Sequence, residues 1–106
     1  MPSILIRPLA RQDLDDHFLY LADHADIDVA DRFLANVDAA FVRLVGHPSI
    51  GSPLKLRHPE LKGLRKWRLN DFDNFLIFYL PRPKGISVVR VLHSASDWWS
   101  LLGLHT

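Results

Sequence analysis

The spacing of hydrophobic and polar positions changes period along the chain and divides it into elements. Residues 3 to 7, SILIR, read as a short strand that stops at Pro8. From Ala10 the spacing lengthens. Leu14, Phe18, Leu21, Ala22 and Ala25 follow at steps of four, three, one and three, which is one stripe of a helix. Asp13, Asp15 and Asp16 lie near its start, where negative charge suits the helix dipole. A second stripe is more regular, with Ala30, Phe33, Leu34, Val37, Phe41, Leu44 and Val45 tracing a 3.6-residue period. Asp28 reads as its N-cap, with Asp31 three positions on as a weak capping box, and Gly46 followed by HPS ends it. Only DID separates the stripes, so the two helices form an antiparallel hairpin.

Residues 46 to 63, GHPSIGSPLKLRHPELKG, have no sustained period and read as a connecting loop. Beyond them the period becomes two. LRKWRLN places Arg65, Trp67 and Leu69 on one face and Leu64, Lys66 and Arg68 on the other. DFDN is a turn, and FLIFYL, apolar on both faces, is a central strand. PRPKG makes the next turn into ISVVRVLH, the neighbouring antiparallel strand, and SASDWWSLL is a short terminal helix or edge segment. The order is β-α-α-β-β-β plus a tail. An α+β arrangement, with the helical hairpin packed on one face of a small antiparallel sheet, buries these stripes economically. The other face is then expected to stay partly open, which would let the last strand carry Arg90 and His93.

At 106 residues, 48% of them hydrophobic, the chain is expected to form one domain around one core. It has no cysteine, so disulfides and thiolate zinc sites are excluded, and a cytoplasmic address is expected. No window approaches the apolar length of a membrane span. The net charge of +1 conceals an asymmetry. Residues 1 to 46 hold four Arg against eight Asp, and residues 47 to 106 hold nine Lys and Arg against four Asp and Glu. The second half could mark an anionic partner, or be ordinary solvated surface.

Six scattered histidines offer no metal set; His17 and His24 could share a helix face but lack a third ligand, so no metal is expected. No nucleotide-binding glycine loop, nucleophile elbow or zinc-protease motif occurs, and no cofactor is expected. Arg65, Lys66, Arg68 and Arg90 remain, with His93 and Tyr79 near them in strand order. Metal-free RNA cleavage needs a base, an acid and a cation at phosphorus, roles open to His93 and the arginines. Strand parity sets Arg90 and His93 on opposite faces unless a bulge re-aims one. Arg90 could equally pair with an Asp across the sheet or lay its stem over apolar surface, and His93 could simply be hydrogen-bonded. Trp98 and Trp99 point in different directions, one toward the core and the other free to anchor a partner.

Read in order, these fragments resemble the ParE-type toxins of the RelE/ParE superfamily. They are A-x-x-D-L (Ala10, Asp13, Leu14), A-x-x-F (Ala30, Phe33), L-x-x-x-P-x-x-G (Leu44, Pro48, Gly51), GLRKWRL, F-x-I-F-Y and VVRVLHSASD. The resemblance runs from about residue 4 to residue 97. It implies a helical hairpin on a curved antiparallel sheet and a cognate ParD-like antitoxin whose disordered segment folds over the toxin. Phe18, Leu21, Phe33, Trp67 and Tyr79 are the expected antitoxin contacts. RelE-like members cut ribosome-bound mRNA, whereas ParE-like members are associated with inhibition of DNA gyrase.

Three features favour the ParE branch: no Lys, Arg or Tyr follows Arg90, the charge is moderate, and the hairpin is long. One departure stands out, because HSASDWW replaces the family's more usual H-G-x-R-D and removes an arginine. The first reading is a non-enzymatic toxin that presents Arg65, Arg68, Arg90, Trp98 and Trp99 to gyrase. The second is an RNA endonuclease using Arg65, Arg68, Arg90 and His93. The third is a homologue without toxicity that remains a binding module.

Overall fold

The computed structural model describes residues 3–104. Strand β1 (Ser3–Ile6) leads into helix α1 (Pro8–His24) and helix α2 (Ile27–Gly46). A two-residue strand β2 (Ser52–Pro53) and a 3₁₀ turn (Pro59–Leu61) precede strands β3 (Arg65–Arg68), β4 (Phe75–Arg82) and β5 (Gly85–His93). Helix α3 (Trp98–Leu101) closes the described chain. Pro8 starts α1 rather than merely stopping β1, because proline at the first helical position gives up an N–H that has no helical acceptor. The cap of α2 is Asp26, not Asp28: its carboxylate accepts from the Val29 N–H at 2.9 Å, leaving Asp28 inside the first turn.

The sheet order is β1-β5-β4-β3-β2, with the apolar β4 at its centre as its composition required. It is mixed rather than antiparallel throughout, since β1 runs parallel to β5 in the register Ser3 to Gly85 and Ile6 to Val88. Gly85 permits this pairing twice over: its φ is +148°, and a Cβ there would strike the Ser3 carbonyl.

The hairpin covers one face. Leu14 of α1 and Phe33, Val37, Phe41 and Leu44 of α2 pack on Ile77, Tyr79, Val88 and Val91. The expectation of a partly open second face fails. Leu76, Phe78, Leu80 and Leu92 on that face are buried under Leu61, Leu64 and Leu102, with Leu54, Leu56 and Trp98 beside them. The stretch from 46 to 63 is therefore a cover for the sheet, held by the Leu54 N–H to Leu64 carbonyl bond at 3.0 Å. Its leucines fall at no regular period because no regular element carries them. No helix among the described residues is long and apolar enough to cross a membrane.

Candidate functional site

A bulge in β5 decides where Arg90 goes. Phe78 pairs with Arg90 and Tyr79 with Val88, so Val89 is the extra residue. Val88 and Val91 consequently both reach the hairpin core, while Val89 and Leu92 share the other. Arg90 stays opposite Phe78 on the far face and His93 opposite Phe75 on the hairpin face, so the bulge does not bring the two together. The Arg90 guanidinium meets both oxygens of Asp13 in α1, at 2.7 and 2.8 Å, and donates to the Leu101 carbonyl at 2.8 Å. This pair is largely sealed, with side-chain exposures of 13% and 9%. Hydrogen bonding to Asp13 raises the Arg90 pKa further, outweighing the opposite effect of burial.

Asp13 has a second task. Beyond Val88, β5 has lost its neighbour β1, and the free strand edge is closed by side chains of α1. Asp13 accepts from the Val91 N–H at 3.0 Å, and His17 Nε2 lies 2.7 Å from the Val91 carbonyl, to which it donates. The sequence contained the signal for this. Asp13 stands at a core position of α1, between Ala10 and Leu14, and a buried acid demands a cation.

The other candidates are equally engaged. Arg65 donates to the carbonyls of Ser49 and Gly51, at 3.0 and 2.6 Å, and so fastens the segment after α2. The Tyr79 hydroxyl holds the same segment, donating to Pro48 at 2.8 Å and accepting from the Gly51 N–H at 2.9 Å. Burial pushes the Tyr79 phenol above its ordinary pKa, against the lowering effects of Gly51 and Arg65. Arg68 is exposed and donates to the Asp73 carbonyl across the β3–β4 turn. His93 Nδ1 accepts from the Ala95 N–H at 3.0 Å, and its ring meets Phe75 edge-on. The pairings Arg65 to Tyr79 and Arg68 to Leu76 set these two arginines on opposite faces. The structure thus disperses Arg65, Arg68, Arg90 and His93.

Of the expected antitoxin contacts, Phe18, Leu21 and Trp67 are half-buried, whereas Phe33 and Tyr79 are wholly enclosed at 0% exposure. These two are corrected to core residues, enclosed where the hairpin meets the sheet. Trp98 packs on Phe78 and stacks on Trp99, which is 46% exposed. Beside Trp67, a groove of about 590 Å³ runs between α2 and the outer edge of β3, bordered by Asn36, Arg43, Arg68 and Asp73. Strand β2 pairs only with Arg65 and Lys66, so Trp67 and Arg68 have no strand on that side. Such a groove can take an extended segment by strand addition. No metal-binding group of three or more His, Asp or Glu occurs among the described residues.

Over residues 4–98 the sequence matches the family model described as the ParE toxin of type II toxin-antitoxin system, parDE. No protein of curated function matches it. Among solved structures, a chain of the chromosomal ParDE TA system from P. aeruginosa superposes with a TM-score of 0.70 at 18% identity, covering 88% of this chain and 96% of that one. At that identity the likeness speaks for the fold.

Proposed function

Because the chain belongs to the ParE toxin family of type II toxin-antitoxin systems, we propose that it acts by binding a protein target of the DNA gyrase class, and that a cognate ParD-like antitoxin neutralises it in the cytoplasm. The observation that carries the binding reading is the dispersal of Arg65, Arg68, Arg90 and His93. In-line RNA cleavage needs its acid, base and cation around one phosphate, within hydrogen-bond reach. Here Arg65 and Arg68 lie on opposite faces, Arg90 is held by Asp13, and His93 has one ring nitrogen committed to the backbone. Exposed Arg68 and the Trp98–Trp99 stack supply the charge and the apolar anchor for a target. Phe18, Leu21 and Trp67, together with the open edge of β3, supply surface for the antitoxin.

The test is functional. Purified chain should block supercoiling by gyrase and leave ribosome-bound mRNA intact, and Trp99→Ala should weaken the block without unfolding the protein. Ribosome-dependent cuts that disappear in His93→Ala would replace this reading with the nuclease. Failure of a co-encoded antitoxin to bind the chain would remove the neutralisation half alone.

A further inference from the structure

A cavity of about 450 Å³, separate from the groove beside Trp67, opens where the start of α1, the 3₁₀ turn, β5 and the tail after α3 meet. Leu61, Val89 and Leu102 give it an apolar floor, none of them more than 9% exposed, and the exposed Leu9 stands on its margin. Two polar side chains on this lining have unspent capacity. Arg7 donates from Nε to the Ser87 hydroxyl at 3.0 Å, which leaves both terminal nitrogens of a half-buried guanidinium without a partner among the described residues. His58 Nδ1 is enclosed and has no hydrogen-bond partner, whereas a buried ring nitrogen ordinarily has one. The start of α1 adds to the positive side, since Arg7 supplies no side-chain cap and the first turn holds no acid. Arg90 contributes little charge, because Asp13 neutralises it. Glu60, the carboxylate on the lining, is exposed and pairs with neither arginine.

We propose that this cavity binds a small amphiphilic anion, a carboxylate on a compact apolar body. The carboxylate meets the Arg7 guanidinium and His58, and the body lies on Leu61, Val89 and Leu102. An apolar concavity of this size with a few polar groups is the ordinary form of a small-molecule site. The free N–H groups of a planar guanidinium match the two oxygens of a carboxylate. A purely inorganic anion would leave the apolar floor unused, and a neutral apolar ligand would leave Arg7 unanswered. The site is independent of the gyrase and antitoxin readings.

The probe is octanoate, titrated into the full chain beside octanol, which keeps the apolar body without the charge, and acetate, which keeps the charge without the body. Octanoate should shift the amide resonances of residues 7, 9, 58, 61, 89 and 102 saturably and raise the thermal midpoint. Octanol and acetate should each bind at least about tenfold more weakly. Arg7→Gln, checked for folding by circular dichroism, should cost on the order of tenfold in octanoate affinity. Leu9→Asp sets a negative charge on the margin while suiting the dipole of α1, so it should weaken octanoate at least about fivefold without lowering stability. Octanol binding as tightly as octanoate, shifts spread over the whole molecule, or indifference to either variant would overturn the proposal. An acetylated Leu-Asp peptide that shifts these residues when octanoate does not would assign the cavity to a protein side chain and overturn it as well.

Discussion

On the hairpin side of the sheet, Phe33, Val37, Phe41 and Leu44 arrive from one helix at one period; on the far side, Leu54, Leu61, Leu64 and Leu102 arrive from a two-strand connection, a 3₁₀ turn, a strand approach and the tail. The first cover is specified locally, since a single helix fixes the relative positions of its side chains. The second is assembled from segments distant in sequence, each ordered at its own entropic cost. Both bury the same sheet, yet the far cover should open at lower free energy. It also carries Trp98 and Trp99, so the more labile side holds the proposed target anchor.

The sharpest way to break this contrast is at Arg90, which joins α1, β5 and the tail through Asp13 and Leu101. Asp13→Ala leaves a largely buried guanidinium unpaired and the Val91 N–H without its acceptor, and should cost roughly 3–5 kcal/mol in denaturant unfolding. Adding Arg90→Met should restore part of that loss, because the stranded charge goes with it. A single loss below about 1 kcal/mol would mean that Arg90 is solvated rather than held.

Two deletions of identical chemistry measure the two covers directly. Leu44 and Leu61 are 0% and 5% exposed, so both are core leucines. Leu→Ala costs about 2–5 kcal/mol, more where the surroundings cannot collapse. Leu44→Ala, fully enclosed in the last turn of α2, should cost about 4 kcal/mol, and Leu61→Ala, in a segment free to settle, about 2 kcal/mol. Equal losses, or a larger one at Leu61, would refute the difference in rigidity.

A smaller effect tests the fastening of the segment that leads into the far cover. Tyr79→Phe removes two hydrogen bonds, to Pro48 and from Gly51, and should cost about 1–2 kcal/mol near neutral pH. Its pH dependence has a definite sign. The folded-state pKa of Tyr79 lies above its ordinary 10.0, chiefly through burial. Its contribution is therefore complete below pH 10.0 and is lost as pH rises through the folded value. Wild-type stability should decline in that window more steeply than that of Tyr79→Phe, as read from urea midpoints.

Legibility followed the same division. The 3.6 period of α2 and the two-sided apolar run of β4 could be read directly, because each element's own residues determine it. The parallel addition of β1 could not, since pairing partners are set by topology rather than by the four residues of the strand. The far cover was hidden because its leucines obey no period and its prolines signal loop. At the site, the tension of Arg90 in a valine-rich strand was visible, whereas Asp13, next to Leu14 in α1, was read only as a charge that suits the helix dipole. Their meeting depended on a helix crossing a strand edge, and on a bulge at Val89 that no local residue announces. Phe33 and Tyr79, expected at a surface, are enclosed for the same reason: periodicity marks an apolar face without saying what already covers it.

The smallest effect concerns where the regular cover begins. Asp26 caps α2 by accepting from Val29, whereas Asp28, three residues before Asp31, was the expected cap and lies inside the first turn. Asp26→Ala removes an acceptor that satisfies one of the helix's free N–H groups and should cost about 1 kcal/mol. Asp28→Ala loses only a favourable charge near the helix N-terminus, worth about 0.3–1 kcal/mol at low salt and less as salt screens it. Measured in high salt, the two losses should separate, because a hydrogen bond persists where a dipole attraction fades. If Asp28→Ala instead proves the costlier and salt-insensitive of the two, α2 starts two residues later than the Asp26–Val29 bond requires. The regular face would then be frayed at the tight connection that sets its pairing with α1.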